Sequence, residues 1–450
     1  MKNLKFSDVA EFISDKVELS NLQKEQYIST ENMLPNYGGI VEIDKLPKIE
    51  KCNKFKQGDI LFSNIRTYFK KVWVAEFSGG CSPDVLIIRS KDENIVRTSY
   101  LYLLICSDDF INFTVASSNG AKMPRGDKNA IKNYIFNIPD IAFQDKAINT
   151  YFRFNKKITL NTQTNQTLEQ IAQGIFKHWF IDFAPVHAKA EALARGETTE
   201  QAELAAMACL SGKTTEKITA LKTQDPTAYH QLQQTAAAFP SEFVETEMGQ
   251  VPKGWERTTL THICEMKNGY AFKSKEWTDE GIPVIKIGSV KPMLIELDNG
   301  SFVAAENETL RADFLASEGD ILVGLTGYVG EVGRIPYQEK AMINQRVAKF
   351  MPKKITETMN YYCFIYCLAR QKEFKAFTEM NAKGSAQANI STKEILSYPV
   401  IIATKEIHIA FENTVKNLLD KIIVNSGENS TLAKTRDELL PRLLSGEIEL

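Results

Sequence analysis

Several short motifs in this sequence contain residue types that catalysis requires, but none has the spacing of a complete catalytic motif. Residues 212–214 read Gly-Lys-Thr like the end of a phosphate-binding loop, yet Met207 stands where that loop needs its first glycine. Residues 327–333 are glycine-rich without the spacing of a dinucleotide-binding turn, and favour a tight hairpin instead. Methyl transfer to adenine would need consecutive prolines, which do not occur, and the Pro-Asp pairs at 83–84 and 139–140 lack the acidic-x-Lys partner of a nuclease. The motifs indicate no catalytic site.

Cysteine and histidine are also too scattered to suggest a metal centre or disulfides. The seven cysteines are odd in number, and the five histidines are dispersed. Cys363 and Cys367 lie one helical turn apart in an apolar, aromatic stretch, which is typical of a buried helix. We therefore predict no metal site and no catalytic nucleophile.

Composition and charge bound the remaining functions. The 450 residues, 43% hydrophobic and 24% charged, suit two or three globular domains. No apolar run is long enough for a signal or a membrane span, so we expect a cytoplasmic protein without membrane association. The net charge of −2 means that any nucleic-acid binding must be local or shared with partners. Positive charge is concentrated in two segments, 51–71 and 122–132, although a solvated surface would explain either segment alone.

An internal repeat organises the chain. Helical segments 146–183 and 410–445 align at a constant offset of 264 residues, and both carry an apolar stripe interrupted by two asparagines. A helix of about 36 residues is roughly 54 Å long, so we expect the two stripes to bury against each other, with the asparagines fixing register. The alternative is that the asparagines mark a solvated or frayed middle of the helix pair. Pro441 lacks an amide hydrogen and should end or kink the second helix. The predicted seam residues are Ile158, Asn161, Asn165, Leu168, Ile175, Trp179, Ile422, Asn425, Asn429, Leu432, Leu439 and Leu443.

The segments before each helix repeat more loosely. Residues 55–62 resemble 317–323, where a Gly-Asp turn leads into an apolar strand. We predict an α/β (α+β) protein with two tandem β-rich domains that contain helices, joined by two long helices in an intramolecular antiparallel coiled coil with pseudo-two-fold symmetry. The predicted boundaries are 1–145 for the first domain, 146–183 for the central helix, 184–245 for a helical connecting segment, 246–405 for the second domain and 406–450 for the last helix.

Three motifs resemble one known family. Residues 168–183 (LEQIAQGIFKHWFIDF) are similar to the central helical region of type I restriction-modification specificity subunits. Residues 248–255 (MGQVPKGW) resemble the start of the second recognition domain in that family, and residues 435–446 (TRDELLPRLLSG) its closing helix. Weaker similarity lies at 269–274 and 384–391. The resemblance covers nearly the whole chain.

This resemblance implies a non-catalytic subunit whose two target recognition domains bind an asymmetric, two-part site on double-stranded DNA, with the helices acting as a ruler. It also implies two modification (methyltransferase) subunits and restriction (translocase-nuclease) subunits as partners. The cofactors S-adenosylmethionine, ATP and Mg would belong to those partners, and none to this chain. Two alternatives remain open: the recognition part of a single-chain restriction-methylation enzyme, and a coiled-coil scaffold without base specificity.

Polar loops at strand ends are the candidates for reading DNA, because Arg, Lys, Asn and Gln reach base edges and loops carry binding residues. Three such loops occur in each copy at matching places. The predicted DNA-binding residues are Asn64, Arg66, Tyr68, Lys70, Ser82, Asp84, Lys122, Arg125 and Lys128 in the first domain and Lys273, Thr326, Tyr328, Asn344, Gln345, Arg346, Gln387 and Asn389 in the second.

Overall fold

The computed structural model describes residues 1–43, 45–120, 123–246, 249–297, 300–384 and 387–445. Lys122, Met248, Ser385, Ala386 and Gly446, which belong to the motifs above, lie outside the described residues. The chain forms two compact units, one of residues 1–159 with those from 430 onward, and the other of residues 160–429.

The first unit contains one antiparallel sheet, one mixed sheet and a set of short helices. One sheet has the strand order Ala10–Ile13, Val85–Ser90, Ile60–Ser63, Val72–Val74, and the other has the order Lys16–Glu18, Lys51–Phe55, Gly79–Cys81, Tyr27–Ile28. Strand Lys2–Lys5 pairs antiparallel with Ile135–Ile138. The helices are Phe6–Val9, Thr98–Ile105, Asp108–Ala116 and Lys128–Asn133, with 3-10 turns at Leu19–Asn21, Lys24–Gln26 and Thr67–Phe69. Buried aromatic and aliphatic side chains of the first sheet pack against helix Thr98–Ile105 to form the core.

The second unit repeats this plan with longer sheets. One sheet has the order Cys264–Asn268, Val347–Pro352, Ile321–Gly324, Val332–Arg334, Met293–Leu294, and the other has the order Trp277–Thr278, Phe302–Val303, Ile282–Ile285, Lys340–Ile343, Leu315–Ser317. Two-stranded pairs are formed by Glu256–Thr259 with Pro399–Ile402 and by Phe243–Thr246 with Gly249–Pro252. The helices are Asn307–Leu310, Tyr362–Ala369, Lys372–Asn381 and Thr392–Leu396, with 3-10 turns at Leu260–His262, Ser274–Glu276, Ile287–Ser289 and Ala312–Phe314.

The strand register shows that the two units are copies. Leu61 pairs with both Trp73 and Ile87, while Leu322 pairs with both Gly333 and Lys349 in the same central-strand position of its sheet. The glycine-rich run 327–333 forms the predicted hairpin, in which Gly327 and Gly330 have φ angles of 73° and 75° that favour glycine. Cys363 and Cys367 are fully buried in helix Tyr362–Ala369, as predicted.

Residues 184–245 contain four helices, Ala184–Ala194, Thr199–Ser211, Thr215–Gln224 and Pro226–Ala238. Thr198, Thr214 and Asp225 cap the helix starts with their side chains, and Gly212 ends one helix in a left-handed conformation. A small core forms around Met207, Ile218 and alanines of these helices. The segment is therefore an ordered helical bundle, which occurs in one copy only.

Two long helices, Ile141–Phe180 and Lys405–Ser445, follow the recognition folds. The first starts five residues before the predicted position, because Asp140 accepts a hydrogen bond from Phe143 N at 2.9 Å and so caps an earlier turn. It ends at Phe180, and Phe183 has a positive φ. Pro441 lies inside the second helix, which continues to Ser445, so Pro441 does not end the helix, and a kink at Pro441 stays a prediction.

Within the second unit the seam asparagines meet in antiparallel pairs. Asn161 Nδ2 donates to Asn429 Oδ1 at 2.9 Å, and Asn425 Nδ2 donates to Asn165 Oδ1 at 2.8 Å. Asn161, Asn165 and Asn425 are at most 4% exposed, so this part of the seam is closed and not frayed. Ala172, Ile422 and Trp179 are buried in the same core, and Leu168 and Ile175 pack at its edge.

Within the first unit the ends of the same helices also pack together. Leu443 is buried beside Tyr151, with Leu439 at the edge of this core, and Arg436 donates to Asn155 Oδ1 at 2.7 Å. Ile158 and Leu432 are half-buried. All predicted seam residues are thus buried or half-buried.

Candidate nucleic-acid interface

The three polar loops of the first recognition domain meet at the end of strand Ile60–Ser63. Asn64 N donates to the Asp84 carbonyl at 2.8 Å, and Arg66 N donates to the Pro124 carbonyl at 2.8 Å. The Arg125 guanidinium forms an ion pair with Asp84 at 2.9 Å. Because these contacts join residues far apart in sequence, the folded domain presents the three loops as one surface.

The conformation of loop 64–70 follows from two residues with positive φ. Arg66 and Lys70 have φ angles of 50° and 52° and flank the 3-10 turn Thr67–Phe69. Neither residue is glycine, so the surrounding contacts must compensate for a left-handed backbone. They include hydrogen bonds from Asn36 N to Phe69 O and from Tyr37 N to Lys70 O. The turn leaves Tyr68 48% exposed.

The equivalent loops of the second domain converge in the same way. Leu325 N donates to the Arg346 carbonyl at 2.9 Å, and Gly327 N donates to the Ala388 carbonyl at 3.0 Å. Arg346 Nη1 donates to Gln387 Oε1 at 3.1 Å. Turn 344–346, loop 326–328 and loop 387–389 therefore form one surface, on which Arg346, Gln387 and Tyr328 are exposed.

The two surfaces correspond position by position. Arg125 bridges to Ile65 and Asn119, just as Asn389 bridges to Thr326 and Lys383. A short helix follows each loop, capped by Asp127 in the first domain and Ser391 in the second. The turns that contain Asp84 and Arg346 also correspond, because the carbonyl of Asp84 accepts from Asn64 N and that of Arg346 accepts from Leu325 N.

An ion pair joins Lys383 to the short helix Thr392–Leu396. Lys383 lies 2.8 Å from Glu394. The hydrogen bond from Lys383, with those from the amide and hydroxyl of Ser391, lowers the pKa of Glu394 to about 2. The carboxylate therefore stays ionised at neutral pH and holds the loop to the helix that follows it.

Two of the predicted contact residues are buried and hold the loops in place. The side chain of Asn64 is 7% exposed and donates to the Gly126 carbonyl at 3.1 Å. Thr326 is 6% exposed, and its hydroxyl donates to Asn389 Oδ1 at 2.6 Å. Both residues therefore hold the loops in position, and contact with bases stays a prediction for them.

The remaining predicted residues lie on or beside these surfaces. Ser82 shapes its turn by accepting from Asp84 N at 3.1 Å, and Lys70 pairs with Asp108 at 2.6 Å. Lys128 is exposed at the start of its short helix. Lys122 lies outside the described residues, so its placement stays a prediction.

In the second domain, loop 270–273 adjoins turn 344–346. Gln345 N donates to the Tyr270 carbonyl at 3.0 Å, and Asn344 forms a parallel bridge with Tyr270. Lys273 is exposed at the end of this loop. Gly269 is required here, because a Cβ at that position would lie 2.2 Å from the Asn344 carbonyl oxygen.

Sequence reasoning missed a group of stacked cations beside turn 344–346. The Arg311 guanidinium lies 4.5 Å from the Tyr270 ring centre, and Lys286 Nζ lies 4.6 Å from that of Trp277. Arg311 also pairs with Glu276 at 2.7 Å. These residues come from separate strands and turns, and no local spacing in the sequence signals that they meet.

The described residues contain no group of three or more His, Cys, Asp or Glu side chains arranged to hold a metal ion. Among the described helices, none is long and apolar enough to cross a membrane.

Comparison with known proteins gives consistent results. The family model described as the type I restriction modification DNA specificity domain matches residues 1–170 and 252–430, once for each copy of the repeat. The type I restriction enzyme HindI specificity subunit of Haemophilus influenzae is 32% identical over 99% of both chains. The MjaIX specificity subunit of Methanocaldococcus jannaschii is 24% identical over 79% of this chain and 70% of its own.

A solved structure shares the fold. The crystal structure of a type I restriction-modification S subunit from M. genitalium aligns with a TM-score of 0.51 at 17% identity, covering 98% of this chain and 95% of that one. Tandem recognition domains with long helices are therefore confirmed as the architecture. The family match over both copies and the relative that aligns along the full length show that this chain belongs to the DNA specificity subunits of type I restriction-modification systems.

Proposed function

We propose that this chain reads a two-part DNA target, one part with each recognition domain, and thereby directs adenine methylation or restriction by partner subunits. The observation that carries the proposal is the convergence of the same three loops in both copies, which places polar side chains on one surface in each domain. Hydrogen-bonding side chains on a rigid scaffold are what base recognition in the major groove requires.

The differences between the copies support an asymmetric target. The first surface presents the ion pair of Arg125 with Asp84, whereas the second presents Arg346 with Gln387. Arginine favours guanine, glutamine favours adenine, and aspartate accepts from cytosine. Two surfaces with such different donors and acceptors would select different half-sites.

In this proposal, partner subunits supply the catalytic sites for methylation and restriction. We propose that two modification subunits carry S-adenosylmethionine and that restriction subunits use ATP and Mg. The net charge of −2 supports shared binding, because a protein that held DNA alone through phosphate contacts would need more cations.

Sequencing of methylated sites in cells that express the complete system would test this proposal. One variant carries Asp84→Ala with Arg125→Ala, the other Arg346→Ala with Gln387→Ala, and Lys253→Ala is the control, since Lys253 pairs with Glu242 outside the loops. We expect each double variant to relax one half of the methylated motif and to leave the other half unchanged. Motifs unchanged in both variants would mean that these two loop surfaces do not select the bases, which contradicts the proposal.

A further inference from the structure

An exposed tyrosine occupies the recognition loop of each copy. Tyr68 is 48% exposed and Tyr328 is 63% exposed, although both follow buried central strands of their sheets. The loops otherwise differ in sequence: residues 64–70 read NIRTYFK and residues 325–331 read LTGYVGE. Tyrosine is the fifth residue of one segment and the fourth of the other, so two loops that match at no position both present an aromatic ring to solvent.

The backbone beneath each ring is held in place. Around Tyr68, Arg66 N donates to Pro124 O, and Asn36 N donates to Phe69 O at 2.9 Å. Around Tyr328, Gly330 N donates to Gly324 O at 3.0 Å. Gly324 permits this fold, since a Cβ there would lie 2.6 Å from the Tyr328 carbonyl oxygen.

The rings themselves are not held by polar contacts. Among the described residues, neither tyrosine hydroxyl has a hydrogen-bond partner. Within the part of the chain that the structure describes, the Tyr68 ring forms one aromatic pair, with its neighbour Phe69 at 4.7 Å between centres, and Phe69 is itself 40% exposed. Each ring therefore lies exposed on a fixed loop, where its apolar face is available to pack against a ligand.

We propose that Tyr68 and Tyr328 are aromatic wedges, each packing its ring against an opened base step in one half of the DNA target. Apolar side chains that enter between base pairs partly unstack them and bend the duplex, and a base gains stacking energy on an aromatic ring. The neighbouring Arg125 and Arg346 are placed to contact base edges or phosphates beside such a step. This inference rests on the proposed function and adds a stacking role to hydrogen-bond reading.

The proposed role belongs to the aromatic ring and not to the hydroxyl group. Phenylalanine should therefore replace tyrosine without loss of binding, whereas alanine should not. We expect Tyr328→Ala to weaken binding of the complex with its methyltransferase subunits to its target about 5- to 150-fold, and Tyr328→Phe to remain within about twofold of the wild type. The same holds for Tyr68→Ala and Tyr68→Phe. Leu310→Ala is the control, because Leu310 is a 71% exposed apolar residue outside the loops.

Fluorescence of 2-aminopurine, placed singly at base steps outside the methylated adenines, measures unstacking directly. We expect the wild-type complex to raise fluorescence at one step in each half-site, each alanine variant to abolish one of these signals, and each phenylalanine variant to keep both. The wedge is overturned if the phenylalanine variants bind as poorly as the alanine variants, if the alanine variants bind as well as Leu310→Ala, or if no step brightens. A wild-type complex that does not prefer its target over scrambled DNA would overturn the proposed function as well, whereas target preference with unaffected tyrosine variants would overturn the wedge alone.

Discussion

Arg346 has the clearest expected effect of the individual side chains. Its Nη1 donates to Gln387 Oε1, and its exposed position on turn 344–346 leaves the guanidinium able to reach a groove. If Arg346 binds guanine through two hydrogen bonds, Arg346→Ala should cost about 1 to 3 kcal/mol on the cognate site and much less on scrambled DNA. Titrations of the complete complex at one fixed salt concentration would measure both. Equal losses on the two DNAs would indicate a phosphate contact instead.

His408 should make the stability of the second unit depend on pH. It is fully buried against Phe180, Phe364 and Tyr361, and burial lowers its pKa to about 3. Because an unfolded histidine titrates near pH 6.5, this contribution is complete above pH 6.5 and is lost as the pH falls toward 3. Between pH 7 and 5.5 we expect the wild type to lose about 1 kcal/mol more unfolding free energy than His408→Gln.

Urea denaturation at both pH values would measure that difference. Glutamine keeps an acceptor for Ala403 N, which now donates to His408 Nε2 at 3.2 Å. A variant that is destabilised at pH 7 but has the same pH slope as the wild type would show that folding does not lower the pKa of His408.

At the scale of single residues, sequence reasoning located the loops but not the orientation of each side chain. Polar loops at matching places in the two copies pointed to Arg125, Arg346 and Gln387, and the folded loops bring these onto exposed surfaces. Asn64 and Thr326 have the same residue chemistry, yet each bonds inward to a loop from a distant part of the chain. Their burial depends on long-range contacts that no local pattern contains.

The elements that pair most specifically are the two long helices. Asn165 is 3% exposed; its Oδ1 accepts from Asn425 Nδ2, and its Nδ2 donates to the Ile422 carbonyl at 3.3 Å. Asn165→Leu should therefore cost about 1 to 3 kcal/mol, since it leaves a buried amide without its acceptor. The double variant Asn165→Leu with Asn425→Leu should recover part of that loss, because it removes both polar partners.

Thermal or urea unfolding of the two single variants and the double variant would give the coupling free energy. Gln166→Leu is a suitable control, because Gln166 is an exposed polar residue next to Asn165 on the same helix. Additive losses would mean that the asparagines do not interact in solution.

At the scale of elements, the repeat predicted which helices pair, because equal spacing in both copies is visible without a structure. The helix ends were less predictable. Asp140 caps a turn earlier than the repeat suggested, and Pro441 is accommodated within the last turns of its helix. The fully buried Arg334 was also unexpected: it donates to the Leu419 carbonyl at 3.0 Å and stacks on Tyr366, at a strand position that the first copy fills with Val74.

For the molecule as a whole, we expect no methyl transfer or cleavage by the purified chain alone. Specificity subunits depend on other subunits for chemistry, and the sequence contains no cofactor-binding turn. Incubation of the pure chain with labelled S-adenosylmethionine and target DNA should leave the DNA unlabelled, and addition of modification subunits should label it. Label transfer by the chain alone would contradict the assignment.

The last prediction concerns the distance between the two half-sites. If the long helices act as a ruler, helix length sets the gap in the target while the loops set the bases. The asparagine pairs run antiparallel, with Asn161 on Asn429 and Asn165 on Asn425. A four-residue insertion between Asn161 and Asn165 adds about 6 Å, nearly the rise of two base pairs, and breaks the alignment of one pair with the other.

A matching insertion between Asn425 and Asn429 faces the first across the seam and should restore both pairs. We therefore expect the double insertion to methylate a target with the same half-sites and a longer gap, and to bind it better than either single insertion. Sequencing of methylated sites from cells that carry each variant would measure gap and half-sites together. An unchanged gap in a stable double variant would contradict the ruler, whereas altered half-sites would mean that the helices also determine how the loops face the bases.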